Sequence, residues 1–184
     1  MTLNDAQIRP ELTSFLQRRQ KKSNAIIEEL PINFGEAIAD VVTISKYLHC
    51  YEIKGETDCI QRIQKQGQFY NTCFKKITLV TTQNHLSYAL QKAPFFWGIM
   101  VVKFQQGRKK ICFIRAAKDN PEFSIEDALH TLWKDELLEI SKENNVQVKE
   151  SMNKKVISKI LAEKLSKSCL TESISRQVYS RLGL

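Results

Sequence analysis

The chain has 184 residues, of which 42% are apolar and 26% are charged, with only 6 Gly and 4 Pro. These proportions exclude collagen-like, disordered and low-complexity chains, and they predict one globular domain that buries about 70% of its surface on folding. The formal net charge of +8 favours a polyanionic partner.

The chain begins with helix patterns and continues with strand patterns. Apolar residues at helical spacing predict two short helices, one around 12–16 and one over 25–30 that ends at Pro31. The β-branched run 39–44 predicts a strand, and 48–54 predicts its hairpin partner. An antiparallel pair of strands is therefore expected after the two helices.

A helix and three further strands are expected after this hairpin. Apolar residues recur at helical spacing over 57–74, with Thr57 as N-cap, and 77–81 predicts a strand. Strand, helix and strand form a crossover unit, which makes two strands parallel. Residues 97–104 and 111–116 predict a second hairpin. We therefore expect an α/β fold with a mixed central sheet flanked by helices.

Only helical patterns follow residue 120. A capping-box sequence at 124–127 opens a helix whose apolar face includes Trp133, and two more helices are predicted near 152–166 and 171–182. The three histidines lie in different elements without the spacing of a zinc site, so they are expected to be structural, and Trp133 is expected in the core.

The chain divides at residue 120 into an α/β core, residues 1–120, and a helical C-terminal segment, residues 121–184, that packs on the core or extends it. The segment is a candidate surface for a homodimer or another protein partner. Five cysteines without a Cys-x-x-Cys pair favour a reduced setting. Because the chain shows neither an apolar leader nor an apolar run of 18 residues, we expect a cytoplasmic protein that does not bind membranes.

The positive charge is concentrated in one part of the chain. Residues 76–120 carry 8 Lys or Arg against the single acid Asp119, a surplus of +7. Such a surface is either a solvated hairpin or a contact for nucleic-acid phosphates. In the second case, the candidate DNA-binding residues are Lys103, Arg108, Lys109, Lys110 and Arg115.

Acidic residues on the first hairpin make a metal site geometrically feasible. Glu52 and Lys54 lie on one face of their strand because strand side chains alternate. If the partner strand brings Asp40 alongside, two carboxylates and the carbonyl of Ile53 supply the hard oxygen ligands that Mg²⁺ prefers. The alternative is an ordinary ion pair on a surface hairpin.

The arrangement of Asp40, Glu52 and Lys54 resembles the signature of the PD-(D/E)XK nuclease superfamily, with Ala39 in place of the Pro. Gln66 and Tyr70 resemble the Gln-x-x-x-Tyr helix motif of the RecB-like exonuclease branch. Further similarity to a little-characterised bacterial and phage family of this superfamily lies in the segments 35–40, 49–58, 97–99 and 132–137.

The resemblance implies a restriction-endonuclease-like fold and a Mg²⁺-dependent deoxyribonuclease in which Mn²⁺ substitutes, acting in a phage, mobile-element, repair or defence context. Asp40 and Glu52, with the Ile53 carbonyl, would hold the metal, and Lys54 would position the attacking water. Supporting roles for metal, water or phosphate are expected for Glu36, if its strand begins early, and for Gln66 and Tyr70. The alternative is a nuclease-like fold that binds nucleic acid or a protein partner without cleaving.

Overall fold

A computed structural model describes residues 2–19 and 25–183, and a six-stranded sheet forms its centre. The elements in chain order are α1 (Asp5–Arg19), β1 (Ala25–Ile32), β2 (Ala37–Ile44), β3 (Leu48–Lys54), α2 (Arg62–Cys73), β4 (Lys76–Thr82), α3 (Leu86–Lys92), β5 (Gly98–Gln105), β6 (Arg108–Arg115), α4 (Ile125–Leu129), α5 (Lys134–Glu143), α6 (Lys154–Lys164) and α7 (Lys167–Ser180). Short 3₁₀ turns precede β2 and α3. The mixed α/β fold expected from the sequence is confirmed.

The strands lie side by side in the order in which they occur in the chain. β1, β2 and β3 are antiparallel, β3, β4 and β5 are parallel, and β6 returns antiparallel to β5. The carboxyl ends of β3, β4 and β5 therefore meet at one edge of the sheet, where open α/β sheets commonly place their sites.

Helices cover both faces of this sheet. On one face α1 packs Ile8, Leu12 and Leu16 against side chains of β2 to β5, including Ile53. On the other face α2 and the later helices share a single apolar core with the sheet. The segment 121–184 contributes many of these core side chains, so it packs on the residues 1–120 and completes their core.

The helix predicted over 25–30 is wrong, because these residues form the edge strand β1. A short apolar run with Ile26 and Ile27 fits either element, and here pairing decides: β1 is hydrogen-bonded to β2 along almost its whole length. Pro31 is tolerated because it lies on an edge strand, where one side of the backbone needs no partner.

Other differences concern where helices begin. α2 starts at Arg62, so Thr57 is not its N-cap, and residues 55–58 form a turn in which the Gly55 N–H donates to Asp58 at 2.7 Å. The link between β4 and β5 contains α3, for which no helix was predicted. The single helix predicted across 124–140 is two helices in the structure, because the helical conformation is interrupted between α4 and α5, just before Trp133.

In residues 2–19 and 25–183, no helix combines the length and apolar character needed to cross a bilayer.

Candidate active site

The hairpin of β2 and β3 opens at Asp40. The last paired residues of its ladder are Val41 and Tyr51. Beyond them the Asp40 carboxylate replaces the missing backbone partner and accepts the N–H of Ile53 at 2.7 Å. On the other edge of β2, Asp40 faces Glu29 of β1. Glu29 has a left-handed backbone (φ 54°), which interrupts the regular pairing of β1 with β2 at this point. The irregular pairing of β2 with both of its neighbours therefore places Asp40 beside the end of β3.

Glu52 is the centre of a buried polar network. Its side chain is 1% exposed, with Oε1 bonded to the ammonium of Lys54 and Oε2 accepting the hydroxyl of Tyr70 at 2.7 Å. Lys54 is 7% exposed, and its Nζ also lies 3.3 Å from the carbonyl of Ile53. The Ile53 side chain packs into the α1 face, so the predicted alternation along β3 is confirmed.

Helix α2 supplies the second wall of the network. The Tyr70 hydroxyl lies 2.9 Å from the carbonyl of Ile38 as well as next to Glu52, so its single proton serves one acceptor at a time. The Gln66 amide nitrogen is 3.5 Å from the same hydroxyl. Burial, reinforced by the Glu52 charge, raises the pKa of Tyr70 and keeps it a protonated donor. The predicted grouping of Gln66 and Tyr70 with Glu52 is thus present in the structure.

Gly67 of α2 lies between these two residues and is explained by close packing. A Cβ at this position would lie 3.3 Å from the ring of Trp97, tighter than an ordinary contact. The indole itself is fully buried and donates to Asn71 of the same helix at 2.8 Å. Gly67 therefore lets α2 approach the sheet closely enough for Tyr70 to reach Glu52.

The two carboxylates are close enough to oppose each other's charge. Burial, and then the charge of Glu52, raise the pKa of Asp40 to about 7, while the N–H of Ile53 and the charge of Lys54 act in the opposite direction. A proton or a cation placed between Asp40 and Glu52 relieves this repulsion.

Arg9 of α1 is a site residue that no sequence motif indicates. Its guanidinium donates to the Asp40 carbonyl at 2.7 Å, lies 3.4 Å from the Asp40 carboxylate, and forms ion pairs with Asp5 and Glu29 at 2.7 Å. The only local signal is the helical spacing of Asp5 and Arg9. Its contact with Asp40 joins positions 31 residues apart, which no motif reveals.

The donor set fits a hard divalent cation only in part. The carboxylates of Asp40 and Glu52 and the carbonyl of Ile53 are oxygen ligands of the kind that Mg²⁺ takes, with water or phosphate completing its shell. Among the described residues, no group of three or more His, Cys, Asp and Glu side chains is placed to hold an ion. Protein ligands would therefore come from two side chains and the main chain.

Glu36 does not lie on the strand of Asp40, so the expectation based on an early strand start is wrong. β2 begins at Ala37, and Glu36 is at the end of the 3₁₀ turn before it, with αR backbone angles. Its carboxylate is exposed and accepts from the Asn33 amide at 2.6 Å. It lines a groove with Gln66 instead.

The predicted DNA-binding residues separate into two groups. Lys54, Thr81, Val101 and Cys112 are successive partners across the sheet and so point to one face. By alternation, the same face carries three of the five candidates, on the strands β5 and β6 that lie two and three places from β3. These three are Lys103, Arg108 and Lys110.

The other two candidates have structural contacts. The Lys109 ammonium donates to the carbonyl of Gln7 at 2.9 Å and ties the hairpin to α1. The Arg115 guanidinium donates to the carbonyls of Trp97 and Pro94, both at 2.8 Å. We therefore assign Lys109 and Arg115 to packing of the hairpin.

Two histidines have the structural contacts that were expected. His49 bonds to the Thr78 hydroxyl at 2.9 Å, and burial lowers its pKa to about 3, so it is neutral. His85 bonds to the Gly55 carbonyl at 3.0 Å. His130 differs, because neither of its ring nitrogens has a hydrogen-bond partner among the described residues. The expectation that Trp133 belongs to the core is wrong, since its side chain is 62% exposed.

Comparisons with known proteins match nearly the whole chain to one family. The family described as Bacteriophage P4 protein cII matches residues 1–181. Protein cII of Enterobacteria phage P4 is 22% identical in an alignment of 182 residues that covers 97% of this chain and 68% of that protein. A solved protein of unknown function from Silicibacter pomeroyi is similar with a TM-score of 0.41 and 15% identity, over 56% of this chain and 64% of its own. Because the family match runs from residue 1 to residue 181, the chain belongs to the bacteriophage P4 protein cII family.

Proposed function

We propose that this protein is a Mg²⁺-dependent nuclease that hydrolyses DNA phosphodiester bonds in a phage or mobile-element context, on a restriction-endonuclease-like fold. One observation carries the proposal: Asp40 of β2, Glu52 and Lys54 of β3 and Tyr70 of α2 converge in one network. The PD-(D/E)XK resemblance implies this arrangement of acid, acid-x-Lys and helix tyrosine. Membership of a phage protein family supports the biological context.

Each residue of the network has a role in such a reaction. A bound Mg²⁺, or Mn²⁺ in its place, would offset charge on the scissile phosphate and acidify a bound water. Asp40, Glu52 and the Ile53 carbonyl would hold it, and the Lys54 ammonium, already 3.3 Å from that carbonyl, would orient the water. Tyr70 holds Glu52 in place through its hydroxyl.

The direct test is incubation of the purified protein with circular single-stranded, circular double-stranded and linear DNA, in Mg²⁺, Mn²⁺ or EDTA. We expect metal-dependent loss of DNA that falls by at least about 10²-fold in Glu52→Gln, as expected when a group that stabilises developing charge is removed. Lys54→Ala should fall similarly. Glu163→Gln, an exposed acid of α6, is the matched control and should cleave like the parent protein.

A second candidate, a nuclease-like protein that binds without cleaving, is favoured by a different observation. Both oxygens of the Glu52 carboxylate already accept hydrogen bonds, one from Lys54 and one from Tyr70, and the side chain is 1% exposed. A centre sealed in this way would leave DNA intact in every metal and bind it equally well in Mg²⁺ and in EDTA. That result, with the protein folded, would refute the nuclease.

A further inference from the structure

Two large aromatic side chains are exposed in one groove beside α5 and α6. Phe34, in the turn before β2, is 41% exposed, and Trp133, just before α5, is 62% exposed. Their groove has a volume of about 360 Å³ and is also lined by His130, Lys154 and Arg181. Large aromatic rings are normally buried, so two of them on one open wall indicate a contact surface.

Cations lie against both rings. The ammonium groups of Lys154 and Lys155 are 4.9 and 5.3 Å from the ring centre of Phe34, and the Arg181 guanidinium is 4.3 Å from that of Trp133. Arg181 is neutralised by Glu136 at 2.6 Å. Among the described residues neither lysine forms an ion pair with a carboxylate, so both keep their charge available for an anion.

His130 gives the groove an unsatisfied hydrogen-bonding group. Its side chain is 8% exposed and stacks on Phe34 with ring centres 4.2 Å apart. Neither ring nitrogen has a partner among the described residues, and the nearest carboxylate, that of Asp127, is 3.8 Å from Nδ1. A buried imidazole without a partner is costly, and a ligand with a donor or an acceptor removes that cost.

The backbone holds Phe34 in an unfavourable conformation. Asn33 and Phe34 both have left-handed angles, with φ of 46° and 59°. This region costs L-residues free energy, and a bulky side chain such as that of Phe is rarely found there. Strain of this kind persists where the surrounding structure imposes it, and it concentrates at binding sites.

A second groove adjoins this surface and extends to Gln66, a neighbour of the candidate active site. Both grooves are lined by Gly35, and the second continues along Glu36, Arg62, Lys65 and Gln66 with a volume of about 430 Å³. At its far side Gln66 approaches the Tyr70 hydroxyl, which bonds to Glu52. The two grooves thus extend from Trp133 to Gln66 on the outer side of the buried centre, and the second groove adds the cations Arg62 and Lys65 beside the single acid Glu36.

We propose that the groove of Phe34, His130, Trp133 and Lys154 binds single-stranded nucleic acid, with bases stacked on the two rings and phosphates beside the lysines. Stacking on an exposed ring requires a base that is free of its own duplex stack, which favours single strands over duplexes. Delivery of that strand to Glu52 rests on the proposed nuclease function, whereas binding to the groove does not.

The test measures binding in EDTA, where metal-dependent cleavage is absent. A short fluorescein-labelled oligothymidylate, the same strand as a duplex, and an oligouridylate are titrated with protein and followed by anisotropy. We expect the duplex to bind more weakly than the single strand, and Trp133→Ala to weaken single-strand binding by roughly 5- to 150-fold, the effect of losing one stacked base. Trp133→Phe keeps a ring and should restore most of the affinity. Comparison of the oligouridylate with the oligothymidylate shows whether the groove binds RNA or DNA more tightly.

Two controls separate stacking from general damage. Phe95→Ala removes another exposed ring, one that is 67% exposed and does not line either groove, and should bind like the parent protein. The chain has two tryptophans, and Trp97 is fully buried, so quenching of protein fluorescence by the oligonucleotide reports Trp133 and should vanish in Trp133→Phe.

The outcomes for groove and nuclease differ. If the parent protein does not bind the single strand, prefers the duplex, or binds unchanged in Trp133→Ala, the groove proposal is wrong even where the protein cleaves DNA. If binding depends on Trp133 but no DNA is cleaved in any metal, the groove stands and the nuclease does not.

Discussion

The buried centre around Glu52 and the exposed groove around Trp133 differ in how their polar groups are satisfied. At the centre, the charged groups of Glu52 and Lys54 each have a partner within the protein, with almost no exposure. In the groove, His130 has no partner for either ring nitrogen among the described residues, and Trp133 exposes most of its ring. The protein itself satisfies Glu52 and Lys54, whereas in the groove the proposed nucleic acid would supply the contacts that the protein does not. Substitutions should therefore affect stability in the first region and binding in the second.

The largest effect on stability is expected from breaking the buried ion pair on one side. Glu52→Gln removes the carboxylate that is bonded to the buried Lys54 ammonium, and breaking a buried ion pair on one side costs about 3–5 kcal/mol of the free energy of unfolding. Adding Lys54→Met should recover a large part of that loss, because the double variant no longer buries an ammonium that has lost its bonded carboxylate. Urea unfolding of both variants measures this difference. Equal stability of the single and the double variant would show that water reaches the Lys54 ammonium, and that the centre is not closed.

The Asp40 carboxyl should make stability depend on pH. Its pKa in the folded state is about 7, above that of an unfolded aspartate, so the folded protein holds an extra proton between about pH 4 and 7. This contribution to stability is complete below pH 4 and is lost as the pH rises through 7. The free energy of unfolding, compared with that of Asp40→Asn, should fall by about 4 kcal/mol across this range, since each pKa unit corresponds to about 1.4 kcal/mol.

Mg²⁺ provides the control for this titration. If the ionised carboxylates of Asp40 and Glu52 hold Mg²⁺ as proposed, the cation should stabilise the folded state much more at pH 8 than at pH 5, where Asp40 is protonated. It should have little effect on Asp40→Asn. Thermal unfolding at the two pH values measures it. Parallel stability curves for the parent protein and Asp40→Asn would show that this carboxyl ionises normally.

A smaller loss is expected for Tyr70→Phe. The variant removes the hydroxyl that Glu52 accepts at 2.7 Å and leaves a buried carboxylate oxygen with one fewer donor, which costs about 1–3 kcal/mol. Tyr51→Phe is the matched control, because Tyr51 is a buried tyrosine of β3 whose hydroxyl is 3.3 Å from His49, away from the carboxylates. If the two variants lose the same free energy of unfolding, the hydrogen bond from Tyr70 to Glu52 stabilises the protein no more than that of another buried tyrosine.

The two regions also differ in how far the sequence predicts them. Asp40, Glu52 and Lys54 lie within 15 residues on a hairpin, so strand alternation and hairpin pairing are enough to group them. Helical spacing adds Gln66 and Tyr70. The groove joins Phe34 to residues about 100 to 150 positions later, and no local pattern connects such distant residues. Helical spacing places Trp133 on the apolar face of the predicted helix. Its ring is exposed because the helix is interrupted between α4 and α5.

The same reason explains which fold elements were predicted. The hairpin of β2 and β3 and the parallel pairing of β3 with β4 follow from β-branched runs around an amphipathic segment. The segment 25–30 is too short for its apolar pattern to distinguish a helix from a strand. It forms a strand because β1 pairs with β2. Arg9 belongs to the same class, since its role depends on how α1 crosses the sheet.

The smallest effect on stability is expected for Phe34→Gly, in the groove. Glycine adopts the left-handed backbone of this position at no steric cost, which offsets the greater freedom of its unfolded chain and the lost contact with His130. The free energy of unfolding should change by less than about 0.5 kcal/mol, as for substitutions away from a core. Single-strand binding should nevertheless fall, because the ring is gone. A variant that unfolds much more easily would mean that Phe34 is held in its strained conformation to complete the core, and the contrast between a stabilising centre and a ligand-dependent groove would then fail.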